Sequence, residues 1–383
     1  MKFIVDSKEL FEQIQLANKV ITSKSNLTIL ECFKFEITED RLFITASDLD
    51  NTFTTSVKIL ESEKRDGEEI IFALDSSSLL NWAKTIDAQP ITFDLDFNSN
   101  QVCIRKSNGS GSFSLYEVDT FPEVPKLKED EKKEIELSGE ILLSGINYTL
   151  YAASNDEFRP MMIGVLVECK QDGITFVATD SHRLAKYHRN ELSFDEDSSF
   201  ILSKKSCEFL KNTIKKSHNS IKIQFDSRNA HIQFDYCTFI CRFREGTFPN
   251  YNQAIPKDHP YVLKVDTYSL LNSCYSVGSL TNKGTELIVL SASENLLEIL
   301  GQDFDYKMSG HEKINCDYQG DPFKIGFKSS NLAEILKIIN SHNVIMKFSS
   351  PSRATLIVPE EVENENEEIT MLIMPLMVND NDM

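Results

Sequence analysis

Asp180, Ser181 and His182 are the three residue types of a hydrolytic triad, and they stand side by side. Nucleophilic hydrolysis needs serine, imidazole and carboxylate in one line, which three consecutive side chains cannot form. A hydrolase built on His182 would need a distant partner, and nothing in the chain points to one. The other histidines are His188, His218, His231, His259, His311 and His342. They contain no H-E-x-x-H or comparable ligand pair, so no metal site is expected. Phosphate-cradling glycine motifs and the G-x-S-x-G elbow are also missing. The 8 cysteines are scattered without a C-x-x-C. Cys237 and Cys241 merely share a strand face, so reduced thiols are expected. The acidic runs Glu360–Glu368 and Asp195–Asp197 lack the ligand spacing of a calcium loop and read as solvated loops held open by self-repulsion. The expectation is a protein that is not an enzyme and carries neither cofactor nor metal.

The remaining chemistry is charge. Lys204, Lys205, Lys211, Lys215 and Lys216 decorate one predicted helix, Lys84 another, and Lys328 and Lys337 a third. Against them stands a net charge of -19 over 383 residues. Such a chain repels nucleic acid and anionic membrane at long range, so any nucleic-acid role must rest on a local surface or on topology. No stretch approaches a membrane span, and the N-terminus has no apolar secretory region, so a cytoplasmic protein is expected. With 41% hydrophobic residues the chain can build real cores, and its length predicts two or three domains.

The elements that would hold these residues repeat. Phe3–Phe11, Ile135–Leu143 and Leu263–Leu271 each read as a short strand entering an amphipathic helix. Asp6, Ser138 and Asp266 stand where a helix N-cap is wanted. A second copy of the device follows in each unit, at Phe72–Leu80, Phe200–Leu210 and Ile325–Leu336. Alternating strands come after the helices, as at Ile91–Leu95 and Ile221–Phe225. Phe121-Pro122 and Phe248-Pro249 close the first two units. The reading is an α+β chain of three domains, 1–128, 129–257 and 258–383, each of two strand–helix–strands halves. Either a symmetric assembly with helices to one side and sheets to the other, or three tandem domains, satisfies this pattern.

Val177-Ala178-Thr179-Asp180-Ser181-His182-Arg183-Leu184-Ala185 resembles the T-D-G-H-R-L-A segment of the bacterial DNA polymerase III beta subunit family, the sliding clamps, with Ser181 at a position usually glycine. Phe158–Val165, Glu245–Tyr251 (as G-x-F-P-x-Y) and Met374-Pro375-Leu376 are similar to further family segments, and the threefold repeat spans the chain as it does there. The resemblance implies three DNA-clamp domains per chain and a head-to-tail homodimer forming a ring, with helices lining the hole and sheets outside. It implies a processivity factor that encircles duplex DNA without sequence preference. A clamp loader, carrying the ATP chemistry, opens it.

The resemblance also implies a groove that tethers the replicative polymerase, other polymerases and repair proteins through short peptides with a Gln and spaced Leu/Phe residues. Carried over by position, its residues would be Arg159, Met161, Met162, Thr179, Ser181, His182, Arg183, Leu184, Pro249, Gln253, Ala254, Arg353, Leu372, Ile373, Met374, Pro375 and Leu376. Gln253 and Ala254 depart from the family's usual Arg-Val. The DNA-facing set would be Lys24, Lys84, Lys204, Lys205 and Lys211, and the dimer interface Phe113 and Leu115 against Leu280. The alternative is a peptide-binding scaffold of the same fold that never encircles DNA.

Overall fold

The computed structural model describes residues 1–21, 26–65 and 67–378. Lys24 and residues 379–383 of the C-terminal extension lie outside the described residues. Among those described, the elements follow one order six times: strand, helix, three strands. The first repeat is β1 (Lys2–Asp6), α1 (Ser7–Ala17), β2 (Cys32–Ile37), β3 (Arg41–Ser47) and β4 (Asn51–Ser62). The second is β5 (Ile70–Asp75), α2 (Ser76–Ala83), β6 (Pro90–Asp96), β7 (Gln101–Lys106) and β8 (Gly109–Ser114). The third is β9 (Lys133–Leu137), α3 (Gly139–Thr149), β10 (Gly164–Lys170), β11 (Gly173–Thr179) and β12 (Arg183–Arg189). The fourth is β13 (Ser198–Ser203), α4 (Lys204–Thr213), β14 (Ile221–Phe225), β15 (Asn229–Phe234) and β16 (Cys237–Arg242). The fifth is β17 (Tyr261–Asp266), α5 (Thr267–Gly278), β18 (Leu287–Ser293), β19 (Leu296–Asp303) and β20 (Met308–Asp317). The sixth is β21 (Phe323–Lys328), α6 (Ser329–Ile338), β22 (Asn343–Phe348), β23 (Thr355–Pro359) and β24 (Glu367–Ile373).

Local chemistry explains why the helices start where they do. The Asp6 carboxylate accepts from the N–H groups of Lys8 and Glu9, both at 2.9 Å. Asp75 accepts from Ser78 at 2.8 Å and Asp266 from Ser269 at 2.7 Å. Each satisfies donors that the first helical turn leaves without a partner. Each apolar stripe then faces a sheet, as Leu10, Ile14 and Ala17 do on α1, all fully buried. The reading of Lys215 and Lys216 as helical needs correction, because α4 stops at Thr213.

The chain packs as two compact units whose limits cut across the repeats. Unit 1 holds residues 1–140 and 208–243, and unit 2 holds the rest. In unit 1 the continuous sheet runs β8-β7-β6-β1-β4-β16-β15-β14-β9. The joining step is the antiparallel pair β4–β16, from Asn51↔Cys241 to Thr54↔Thr238. In unit 2 the order is β13-β10-β11-β12-β24-β23-β22-β17-β20-β19-β18-β21. Its joining step is β12–β24, from Arg183↔Ile373 to Arg189↔Glu367. So the last strand of repeat 1 pairs with that of repeat 4, and the last of repeat 3 with that of repeat 6. A tight charged knot secures the second joint. Arg189, 2% exposed, donates to Glu191 at 2.6 and 3.1 Å and to the Tyr187 hydroxyl at 3.1 Å, and that hydroxyl donates to Glu367 at 3.0 Å. A buried guanidinium is tolerable only when its donors are answered in this way.

The acidic loop between β23 and β24 differs from expectation. It is pinned rather than held open by repulsion. Lys264 pairs with Glu360, Asn343 donates to Glu360 at 2.8 Å, and the Glu361 N–H reaches the Ser341 hydroxyl at 3.2 Å. Charge-assisted hydrogen bonds outweigh the mutual repulsion of carboxylates.

Candidate functional site

The tight turn between β11 and β12 organises the site in unit 2. The Asp180 carboxylate accepts from the N–H groups of His182 at 2.8 Å and Arg183 at 2.7 Å. The same device holds the corresponding turns of repeats 1 and 5. Asp48 accepts from Asp50 at 3.1 Å and Asn51 at 2.7 Å, and Asp303 from Asp305 at 3.0 Å and Tyr306 at 3.2 Å. Asp180 is therefore a turn-former, committed to backbone amides and to Arg183, and the triad composition of 180–182 carries no hydrolytic geometry. Ser181 takes φ +77° and its counterpart Leu49 φ +81°. That left-handed backbone favours glycine, so serine at position 181 is not a neutral exchange. Its hydroxyl compensates by accepting from Arg159 Nη1 at 2.6 Å, while Asp156 holds the Arg159 Nε at 2.8 Å.

Strand alternation sorts the remaining candidates onto two faces. Leu184 pairs with Leu372, and Leu372 with Leu356, so these three share one face. With Leu166, Val177 and Ile201 they form an apolar floor, and Tyr251 and Ala354 complete the cluster. Met161, Phe248 and Ile255 pack against it, only half-buried. Tyr251 is anchored by donating to Glu168 at 2.5 Å. Burial, and then the Glu168 charge, push the Tyr251 phenol well above its ordinary range, so it stays a neutral donor.

Ile373 is fully buried on the opposite face and does not belong to this floor. Met162 is likewise buried, with its carbonyl accepting from Ser154 at 2.9 Å, and Met161 is the methionine that faces the cluster. Arg183 also lies opposite Leu184. Its guanidinium pairs with Asp180 at 3.0 Å and with Glu334 of α6, and it sits 5.7 Å from the Tyr151 ring centroid. It braces the turn against α6 from behind. Thr179 donates to the Arg183 carbonyl at 2.7 Å. His182, Gln253, Ala254, Arg353 and Met374 are exposed, and Pro249 is exposed on the segment before Tyr251. The Met374 N–H donates to the His182 carbonyl at 2.8 Å, which ties the two strand ends together. Pro375 and Leu376 are half-buried, and the Leu376 N–H reaches the Gly326 carbonyl at 2.8 Å.

Sequence reasoning missed Leu166, Val177, Ile201, Leu356, Phe248 and Ile255 as parts of this surface. For Leu166, Val177, Ile201 and Leu356 the signal is the strand register, which reaches Leu356 only through the non-local β12–β24 pairing, whereas Phe248 and Ile255 lie outside the strands. The same positions in unit 1 make a useful internal comparison. Aligning the aspartate turns places Ser47 and Thr52 where Thr179 and Leu184 stand, and Thr45 and Thr54 where Val177 and Lys186 stand. There the face is a polar ladder, with Thr45 and Thr54 hydroxyls 3.1 Å apart and those of Ser47 and Thr52 3.0 Å apart. Of these two copies, the unit 2 one presents an apolar cluster with half-buried Met161, Phe248 and Ile255 at its margin, the chemistry that suits peptide anchors.

The other candidates belong to other elements. Lys84 caps α2 and is exposed, and Lys205 and Lys211 are exposed on α4. Lys204 opens α4 and donates to Asn155 at 2.8 Å. Phe113 on β8 packs edge-on against Trp82, ring centroids 5.6 Å apart, and Leu115 follows it, half-buried. Leu280 lies half-buried just after α5, beside Gly310 of β20. Among the described residues no group of three or more His, Cys, Asp and Glu could hold a metal, and no helix is long and apolar enough to cross a membrane.

Comparison with known proteins covers nearly the whole chain. Models of the N-terminal, central and C-terminal domains of the DNA polymerase III beta subunit match residues 1–125, 136–250 and 252–377. The beta sliding clamp of Synechococcus elongatus is 27% identical over 99% of this chain and 100% of that protein. The beta sliding clamp of Staphylococcus epidermidis is 24% identical over 98% of this chain and 99% of that one. Among solved structures, a sliding clamp from Pseudomonas aeruginosa superposes with a TM-score of 0.90 at 19% identity, covering 99% and 100% of the two chains. The beta subunit from Thermotoga maritima gives 0.88 at 22% identity with the same coverage. The two structures share the fold.

Proposed function

Because the chain belongs to the DNA polymerase III beta subunit family, we propose that it is a sliding clamp, a DNA-replication processivity factor working as a head-to-tail homodimer that encircles duplex DNA. The observation that carries this reading is an incomplete repeat. Opposite β3, β4 gains β16 along Asn51–Thr54, and opposite β11, β12 gains β24. By the same rule β20 should pair with a strand equivalent to β8. Within one chain, Met308–Asn315 has no neighbour other than β19 among the described residues, and β8 has only β7, apart from a single bridge at Tyr116. Burial agrees. The inward positions of β12 and β4 are buried, whereas those of β20 and β8 stay half-exposed. An open edge of this kind is a template for pairing with a strand of another chain. A second copy supplies β8 to β20 and β20 to β8, and two such joints close a ring of six domains, which we divide at 1–128, 129–257 and 258–383.

A ring is retained by topology, so tight phosphate contacts are unnecessary and would impede sliding. Lys84, Lys204, Lys205 and Lys211, with Lys24, supply weak screened contacts to the duplex, while the acidic remainder discourages DNA from the outside. The unit 2 cleft takes the clamp-binding peptides of the replicative polymerase, other polymerases and repair proteins. Leu184, Leu372 and Leu356 receive apolar anchors, and Thr179, His182, Arg159 and Arg353 fix register from the rim. No chemistry is assigned to the chain itself. A clamp loader supplies the ATP-driven opening, and the protein works in the cytoplasm without a cofactor. The test is retention on DNA. After loading by the cognate clamp loader, the protein should co-elute with nicked circular plasmid and be lost once the plasmid is linearised. Equal retention on both forms, or none on the circle, would overturn the ring.

A further inference from the structure

The face that carries the anchor cleft does not end there. Beyond Ile255 and Leu356, which both belong to the apolar cluster, a second groove of about 460 Å³ runs along β12, β22, β23 and β24. Val358, Pro359 and Val362 give it apolar walls, and Lys186 and Lys347 enter it. Register places both lysines on the face of the apolar cluster, since Lys347 pairs with Leu356 and Lys186 with Val177. Lys347 has no charged or hydrogen-bonding partner among the described residues. Lys186 has only Glu368, 63% exposed and 3.8 Å away, beyond hydrogen-bond distance. Glu367, which also lines the groove, is committed to Tyr187 and lies 3.9 Å from Arg189.

In unit 1 the positions equivalent to Lys186 and Lys347 are Thr54 and Gln224, both neutral. The unit 1 face carries Lys222, two residues from Gln224, but that lysine is paired with Glu134 at 2.8 Å; the lysines of the unit 2 groove lack such a partner, in a chain of net charge -19. We propose that this groove receives an acidic flank of the partner peptide, an extended segment continuous with the anchors whose carboxylates pair with Lys347 and displace Glu368 from Lys186. The proposal rests on the reading of the cleft as a peptide site. It makes the anchors the common element of all partners, and the flank the element that ranks them, because paired charges discriminate partners more than they add affinity.

The experiment uses the full-length protein and fluorescent peptides in anisotropy titrations. One peptide carries only a Gln and spaced Leu/Phe anchors. Others add a short run of aspartates, or of serines, at either end. The wild type and the Lys186→Gln/Lys347→Gln protein should bind the anchor-only peptide alike. Aspartates at one end should tighten wild-type binding about fivefold or more at low salt, and the double variant or raised salt should abolish the gain. No gain at either end, or a gain that survives in the double variant, overturns the acidic flank and leaves the cleft standing. Failure of the anchor-only peptide to bind the wild type overturns the cleft itself. A protein ending at Val378 reports on the chain's own Asp380 and Asp382. If removing that segment alone produces the lysine-dependent gain, the groove belongs to the chain's own end and the proposal falls.

Discussion

At the scale of residues, the aspartate turns reveal both what the sequence makes legible and what it hides. Thr179–Leu184 stands out as a motif, but the role of each member follows from its face. Leu184 and Arg183 are neighbours that work on opposite sides of one sheet, and Leu372 and Ile373 divide in the same way. A motif match lists such residues together, and only the register separates them. The positive φ at Ser181 was equally hidden, because nothing local compels it. Serine there trades backbone strain against the hydrogen bond from Arg159. Two thermal-denaturation comparisons expose that balance. Leu49→Gly, which relieves the same strain with no hydroxyl at stake, should stabilise the protein by about 0.5–1 kcal/mol. Ser181→Gly should change stability by much less, because the lost hydrogen bond offsets the relief. Equal gains at the two positions would show that Arg159 contributes nothing to holding the turn.

At the scale of elements, the helix stripes, their caps and the sixfold order of elements are readable because they are local. The pairing of repeat 1 with repeat 4, and of repeat 3 with repeat 6, is not, because strand partners far apart in sequence leave no local periodicity. The connection between β8 and β9 depends on one such distant contact. Asp226 accepts from the N–H groups of Lys128 at 3.0 Å, Arg228 at 2.7 Å and Asn229 at 2.8 Å. Burial alone would raise its pKa, but those three donors outweigh it and hold the carboxyl below the usual range. A carboxyl depressed in the folded state contributes stability above its unfolded value, about 3.9, and loses it as pH falls through the folded value. Asp226→Ala should therefore cost about 1–3 kcal/mol near neutrality, measured by urea denaturation, with the deficit shrinking below about pH 4. A deficit constant down to acid pH would assign the loss to packing instead.

At the scale of the whole molecule, the proposed interface joins two different edges. Each copy, 43.7 kDa, offers β8 in unit 1 and β20 in unit 2. Phe113→Asp spoils the first edge and Leu280→Asp the neighbourhood of the second. Each variant alone should fall from dimer to monomer mass by light scattering, because every possible joint then contains one damaged edge. Mixing the two should restore dimers, since the intact β20 of one variant meets the intact β8 of the other. Mixtures that stay monomeric would contradict head-to-tail pairing, and a circular-dichroism spectrum unchanged from wild type separates this result from unfolding. The acidic charge, which at first argued against a nucleic-acid role, is compatible with a molecule held by enclosure.

The two unlike open edges have one more consequence. A joint between different surfaces is not self-limiting, since every added copy covers one free edge and leaves another of the same kind. What separates a two-membered ring from an endless fibre is then the angle each copy turns through, set by the repeat-to-repeat steps inside the chain. In the proposed ring, the Arg189 knot at the β12–β24 joint would act on assembly at a distance. A looser joint there would leave every contact surface intact and still let the ends miss each other, giving open polymers in place of closed pairs.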